Sequence, residues 1–462
     1  HRTGNMIFQE KAMTILQEYV DWVQRTQFEQ IPDKLVTLAK YSIIDTIAVS
    51  YYARSTPGND VLYNYAASRQ SSSVAACISF PGKMSATDAA LVNGYLAHLD
   101  DYDEVSLPGH TGVIMVPAVM AMAEMTSASG KEALRAYVLG AELGFKIAEI
   151  LTGSMYATGW HSSPVICTLS AAASASILLH LPKDQFVSAI GIAASRACGL
   201  MVNFGTLCKP YHMGMAAANG IEAAQLAQSG ITASADALEG RGGYFSCFLG
   251  KKMPEIRFDW DRWSMLGNGM LFKKYACCVG SHSSIETVRR MMTKYGFDYR
   301  NVSHIQCDVS GTSFASLKYP LPDNAFQAKF SAAFPIAWLL HNMGRLNNED
   351  FIDKNVRNPA VRNTMEKIHL NHGLQYREKN LYPNGPCTIT VTLQGGDVVT
   401  EQGELSWCGE KCWENLIDEE SLKNKFAECA KNYIEKPDAE ELADRLLQLE
   451  YESDAGTVFL KL

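Results

Sequence analysis

The sequence predicts a mainly α protein. A large helical domain would span residues 6–265, with residues 403–462 packing back on it, and a smaller α+β domain would span 266–402. Three observations predict this division. Residues 6 to about 265 read almost entirely as helix, with Ala-rich stretches (Leu169–Leu179, Met215–Ala227) that suit helices covered on several sides. After Trp263 the pattern changes to strand-like alternation at Ile305–Val309 and Cys387–Leu393. A chain of 462 residues, 47% hydrophobic and 19% charged, is globular and long enough for two or three domains with ample cores.

Taken in order, His1–Asn5 resemble a tag remnant ahead of a natural start at Met6, and no signal peptide is visible. Ser85 and Asp88 form a capping-box signature for a helix Ala86–Leu99, and Ser129 and Glu132 repeat it for a helix running to Thr152. Between them Pro108–Gly112 reads as a turn before an apolar helix, Val113–Met125. The most apolar run, Ser162–Leu181, approaches membrane-spanning length, but its Ser and Ala content reads as a buried helix. In the second part, Lys329–Met343 and Asn358–Ile368 read as helices, and Gly395-Gly396 offers a hairpin to Val398-Val399. The tail Asp418–Leu449 returns to helix, and no internal repeat or low-complexity segment is present.

The net charge of −8 and an isoelectric point near 5.8 argue against a nucleic-acid partner, because phosphate binding needs basic surface. Twelve cysteines show no framework spacing, so reduced thiols in a soluble, cytoplasmic protein are expected, with no membrane association. Cys408 and Cys412 lack nearby histidines, so no zinc site is expected. There is no H-E-x-x-H, phosphate loop or nucleophile elbow, and neither metal nor cofactor is expected.

Chemistry concentrates at Asp101, His110, His161, Lys209 and His282, each inside a turn-forming or small-residue frame. Lys209 precedes Pro210, which disfavours helix at the lysine, so its ammonium is expected on a bend, with Gly205 and Gly214 allowing close backbone approach. That arrangement suits holding an anion. The run His98–Glu104 ends a helix in four carboxylates that repel one another, so some must be paired, exposed or bound to a cation. Asp101, three residues after His98 and on its helical face, is expected to point inward, whereas Asp100, Asp103 and Glu104 suit a solvated helix end. His110, between Gly109 and Thr111-Gly112, is not a core position. His161 precedes the capping candidates Ser162 and Ser163, where a helix dipole favours a neutral imidazole able to act as a base. His282 likewise precedes an amphipathic helix, Ser283–Tyr295, and His212 is a partner candidate for Lys209. Three histidines, a lysine and a carboxylate suit proton transfer at carbon beside a carboxylate, with Lys209 stabilising the developing enolate.

At these same residues the sequence resembles the MmgE/PrpD family of cofactor-independent lyases and isomerases. The segments that carry the resemblance are Asn93–Pro117, Gly159–Thr168, Gly191–Gly220, Leu238–Phe245, Lys274–His282 and Ala328–Ser331, in the family's order and across nearly the whole chain. The resemblance implies a helical domain formed by both chain ends, an α+β lid domain, a homodimer, and a site in the cleft between domains that takes a small di- or tricarboxylate. It places Asp101, His110, His161, Lys209 and His282 at the family's active-site positions, with Lys209 and His282 binding carboxylates. The stretch Asp101–His110 is one residue shorter than in the family's decarboxylases, and Val105 replaces a hydroxyl residue. Phe334, a substrate-binding candidate, stands where decarboxylases place a tyrosine, which argues against that particular reaction.

The expectation is therefore a cofactor-free lyase, of dehydratase or decarboxylase type, that abstracts a proton α to a carboxylate. An isomerase or epimerase of a dicarboxylate is the alternative. Two other classes compete. The missing tyrosine suggests a carboxylate-binding protein without turnover. The D-D-x-x-E pattern Asp100–Glu104 suggests a magnesium-dependent cyclase of terpene type, but Pro210 stands where its second motif needs a carboxylate.

Overall fold

The computed structural model describes residues 13–249, 255–373, 386–403 and 416–459; Met6 and the pair Cys408 and Cys412 lie outside them. The protein is mainly α, with a four-stranded sheet confined to the second half of the chain. Buried apolar residues form two large cores. The first gathers side chains from Ile15 to Ala276 and again from Leu422 to Phe459, while the second runs from Tyr275 to Val391. No described cysteine is in a disulfide.

Local signals start several helices. At Gly130–Thr158 the capping box is complete: Glu132 N–H donates to Ser129 Oγ at 3.3 Å, and Ser129 N–H donates to the Glu132 carboxylate at 2.9 Å. At Ala86–His98 only half forms. Asp88 N–H donates to Ser85 Oγ at 3.1 Å, but Ser85 N–H turns to Ser71 instead. The apolar helix Ser162–Leu178 is buried along its whole length. Among the described residues no helix is long and apolar enough to cross a membrane.

Small residues set the helix packing that builds the site. A Cβ on Gly94 would lie 2.8 Å from Gly214 Cα, so the helices Ala86–His98 and Cys208–Gln228 cross with their backbones almost touching. That contact brings the end of the first helix beside the start of the second.

The first half is almost entirely helical, as expected, and also carries short pairings: Ala75–Ala76 with Lys83–Met84, and Val105–Ser106 with Met270–Leu271. The second pair ties the loop after Asp101 to the segment leading into Lys273. Several expectations are corrected. Lys209 lies in the first turn of the helix Cys208–Gln228, not on an extended bend. Pro210 is tolerated there because first-turn N–H groups have no partner within the helix anyway. Asn358–Ile368 is not one helix: Pro359–Met365 is helical, and Ile368–His372 is a strand. The helix expected from Lys329 starts only at Ala333, because Lys329 C=O accepts from Cys278 N–H at 2.8 Å. The tail splits into Glu419–Ala430 and Lys436–Leu447, with Pro437 in the first turn of the second helix.

The sheet runs in the order Ile368–His372, Val302–Val309, Cys387–Leu393, Val398–Gly403, with the first pair parallel and the others antiparallel. Gly396, at φ +92°, turns the expected hairpin between the last two strands. The helix His282–Tyr295 packs on this sheet, and a Cβ on Gly403 would collide with Thr287.

Candidate active site

Helix Ala86–His98 stops at His98, and the chain then turns sharply. Asp101 adopts a left-handed backbone (φ +52°), tolerated by aspartate, and its N–H donates to His98 C=O at 3.1 Å. This turn, not a shared helical face, aims Asp101 inward. It also sends adjacent carboxylates to different partners. Asp100 accepts from Lys329 Nζ and Thr56 Oγ1, each at 2.8 Å. Asp101 Oδ1 accepts from Lys209 Nζ at 3.1 Å and Lys273 Nζ at 3.0 Å. Glu104 accepts from Gly112 N–H and Ser42 Oγ. The three carboxylates of the D-D-x-x-E pattern diverge, so they do not form a shared cation site.

None of the four carboxylates is solvated; all are buried. Asp103, expected at a solvated helix end, is instead the centre of the arrangement. Its Oδ1 lies 2.8 Å from His98 Nδ1 and its Oδ2 lies 2.7 Å from His110 Nδ1. Burial opposes its ionisation, but the two histidines hold its carboxyl well below the usual carboxylate range. A carboxylate accepts only, so both imidazoles must donate from Nδ1. His98 Nε2 then accepts from Lys209 Nζ at 2.5 Å, and His110 Nε2 carries a lone pair. Burial pushes the imidazole of His98 down to about 3 and lowers that of His110, against the pull of Asp103. Both rings are therefore neutral at physiological pH. His110 Nε2 lies 3.5 Å from Asp101 Oδ1, where a proton taken up by the ring would be stabilised.

The two lysines differ. Burial lowers Lys209 below the ordinary lysine value despite Asp101, while Asp101 and Asp103 outweigh burial at Lys273 and raise it. Asp101 itself is held ionised: burial opposes this, but Lys209 and Lys273 together win. Glu104 is the exception. Burial, reinforced by Asp103, raises its carboxyl well above the usual range.

A cavity of about 30 Å³ lies against this cluster. Asp101, His110, His161, Phe204 and Lys209 form one wall; Cys278, Val279, Gly280, Ser313 and Phe330 form the other. His161 is the N-cap residue itself, ahead of helix Ser162–Leu178, and Ser162 Oγ donates to Pro108 C=O instead of capping. The His161 ring is fully buried, its Nδ1 lies 3.2 Å from His212 Nδ1, and its Nε2 has no partner among the described residues. Burial and then Lys209 keep it neutral. Ser163 Oγ accepts from His110 N–H at 2.9 Å, fixing the turn that carries that ring.

Four of the five residues singled out from sequence thus converge on one cavity. His282 does not line it: its Nε2 lies 3.3 Å from Cys277 C=O, and its ring meets the edge of Tyr275. Phe334 also lies elsewhere, fully buried in the second core beside Trp338 and Phe351. His98, Asp103 and Lys273 are the residues that sequence reasoning missed. His98 stands three residues before Asp101, and Lys273 follows the apolar pair Leu271-Phe272, but neither spacing alone marks a buried partner.

His98, Asp101, Asp103 and His110 offer ligand atoms within 4.8 Å of one another, close enough in number and type for a metal ion. The donor set fits poorly, because both Nδ1 atoms donate to Asp103 and two ammonium groups already occupy Asp101 Oδ1. What the cluster offers is a carboxylate-anchored imidazole, a lysine and a second neutral imidazole lining one cavity.

The chain is 25% identical to cis-aconitate decarboxylase of Aspergillus terreus, over 95% of this chain and 93% of that protein. It is 24% identical to the cis-aconitate decarboxylases of Mus musculus (96% and 92% covered) and Homo sapiens (96% and 94%). Residues 17–257 match the MmgE/PrpD N-terminal domain and residues 275–450 the MmgE/PrpD C-terminal domain. With the two halves matched in order across nearly its whole length, the chain belongs to the MmgE/PrpD family.

Proposed function

We propose that the protein is a cofactor-independent lyase that moves a proton at the carbon α to a carboxylate in a small di- or tricarboxylic acid. The observation that carries this reading is the Asp103-anchored His110, whose Nε2 lone pair faces the cavity beside the Lys209 ammonium. Lys209 would receive the substrate carboxylate and stabilise the negative charge that spreads onto it as the α-carbon gives up its proton and keeps the electron pair. His110 would exchange the proton, and Asp101 would stabilise the resulting imidazolium. The relatives' activity favours loss of carbon dioxide from a tricarboxylate such as cis-aconitate.

Ligand pockets generally enclose ~300–1,000 Å³, so a cavity of about 30 Å³ must widen to admit substrate. Its two walls come from residues 101–209 and 278–330, and they meet through small apolar clusters, Phe204 with Cys278 and Phe330 and Val105 with Val279, so parting these contacts would open it. A second reading, epimerisation, is supported by the His110 and His161 rings, whose centroids stand 6.5 Å apart. Two groups so placed could serve opposite faces of one carbon. Proton NMR in deuterium oxide with cis-aconitate and a panel of other di- and tricarboxylates tests both. Loss of carbon dioxide or water with deuterium at one carbon supports the lyase. Deuterium incorporation with inversion alone supports the epimerase, and no exchange with any member overturns both.

A further inference from the structure

His110 and His161 are held by different partners, and the difference assigns them different roles. His110 is tied to a carboxylate through Asp103. His161 is tied to a second imidazole, and that imidazole to a thiol: His212 Nε2 lies 3.5 Å from Cys208 Sγ, one helical turn earlier. The line ends at His161 Nε2, on a fully buried ring at the cavity wall and without a partner among the described residues. An unpartnered buried ring nitrogen is costly unless something enters the cavity to meet it.

The tautomers follow from the contacts. Burial and then Lys209 lower both rings, His212 to about 4, so each is neutral. Two neutral rings meeting through their Nδ1 atoms share one proton. If His161 held it, His212 would have to donate from Nε2 to sulfur, a weak acceptor. If His212 holds it, the His212 Nε2 lone pair accepts the Cys208 S–H, and burial keeps that thiol protonated above its usual value. The second arrangement keeps the thiol proton in a hydrogen bond and gives the imidazole lone pair a donor. It leaves His161 with N–H on Nε2.

We propose that Cys208 and His212 are positioning residues that hold His161 as the Nε2–H tautomer, making it the hydrogen-bond donor to the substrate oxygen where negative charge develops. His110 is then the site's proton-exchanging base, because its own Nε2 carries a lone pair. No proton leaves His161 in this scheme, so no imidazolate forms. The role at the substrate rests on the proposed proton transfer α to a carboxylate; the tautomer assignment does not.

Side-chain nitrogen-15 NMR of histidine-labelled, substrate-free protein tests the assignment directly. The expected spectrum has His161 protonated on Nε2 and bare on Nδ1. In Cys208→Ala the two rings should shift towards mixed tautomers, while Cys208→Ser, which still offers a donor, should keep the wild-type pattern. With a substrate in hand, Cys208→Ala should lower kcat about tenfold, a fraction of the ~100–1,000-fold seen for removing such a donor outright, with KM within about twofold; Cys208→Ser should restore it. A wild-type His161 protonated on Nδ1, or Cys208→Ala with unchanged ring signals, overturns the proposal. The expected spectra without turnover of any carboxylate would leave the tautomer assignment standing and sink the lyase reading.

Discussion

The two walls of the cavity are built from different materials. The first, from the helical core, carries the charge: Asp101, Lys209 and the histidines, backed by Asp103 and Lys273 in a continuous hydrogen-bonded cluster. The second carries no charged side chain among its described residues; Val279, Gly280, Thr312, Ser313, Ser316 and Phe330 offer apolar contact, hydroxyls and little bulk. Buried charges are tolerated only where each has a partner. The first wall must therefore be assembled before substrate arrives. The second needs no such partners. Changes in the first wall should act on kcat and changes in the second on KM.

The severest break should come from Asp103→Asn. An amide can donate as well as accept, so one of His98 and His110 would be driven to the wrong tautomer, and His110 would lose its facing lone pair. Loss of the tautomer-fixing carboxylate in a comparable histidine system costs about 10⁴-fold, and a fall of roughly 10³–10⁴-fold in kcat with KM little changed is expected. Steady-state kinetics beside a thermal unfolding scan would check it; a KM effect alone would erase the distinction between the walls.

The pH dependence of stability sharpens the comparison, because both sides bury histidines but only one uses them at the cavity. His98 and His282, pushed down to about 3 by burial, bind protons less readily in the folded chain than in the unfolded one. Between their ordinary 6.5 and about 3, the unfolded chain holds more protons, and stability must fall as pH falls through that window. Each contributes roughly 1.4 kcal/mol per pH unit within it. His98→Gln and His282→Gln should both flatten the fall in Tm between pH 6.5 and 4. Only His98→Gln, which replaces the rigid ring bridging Asp103 and Lys209 beside the cavity, should also abolish turnover.

A smaller effect belongs to the uncharged wall. Ser313 Oγ lines the cavity, and its own N–H and hydroxyl neighbours are supplied by Ser310. Ser313→Ala removes at most one hydrogen bond to substrate, worth about 0.5–1.5 kcal/mol. KM should rise about 2–10-fold with kcat unchanged, and a kcat effect of the same size would place chemistry on this wall after all.

How far the sequence foretold this depends on whether the determinant was local. The capping box at Ser129, the hairpin at Gly396 and the buried Ser162–Leu178 helix follow from neighbours along the chain. The helix expected over Asn358–Ile368 ends at Met365, and Ile368 starts a strand because of a parallel partner, Ile305, more than sixty positions away. The site divides the same way. His110, His161, Lys209 and Asp101 stand in turn or small-residue frames that mark them. Asp103 looked like one carboxylate among four, and its importance comes only from the turn at Asp101 that places it between two rings. Lys273 reaches Asp101 from 172 positions away. No spacing rule reports such a contact.

The least dramatic test concerns Phe334, where the sequence suggests a missing phenol. Its ring is fully buried against Phe351 at a centroid distance of 5.4 Å and does not line the cavity. Phe334→Tyr would therefore add a hydroxyl to an apolar core and not a donor to the substrate. An unsatisfied buried hydroxyl costs about 1–3 kcal/mol, which should appear as a lower Tm with kcat and KM unchanged. A gain in turnover would show that the second wall rearranges on closing so far that Phe334 reaches the cavity, and the charged wall would then no longer hold all the chemistry.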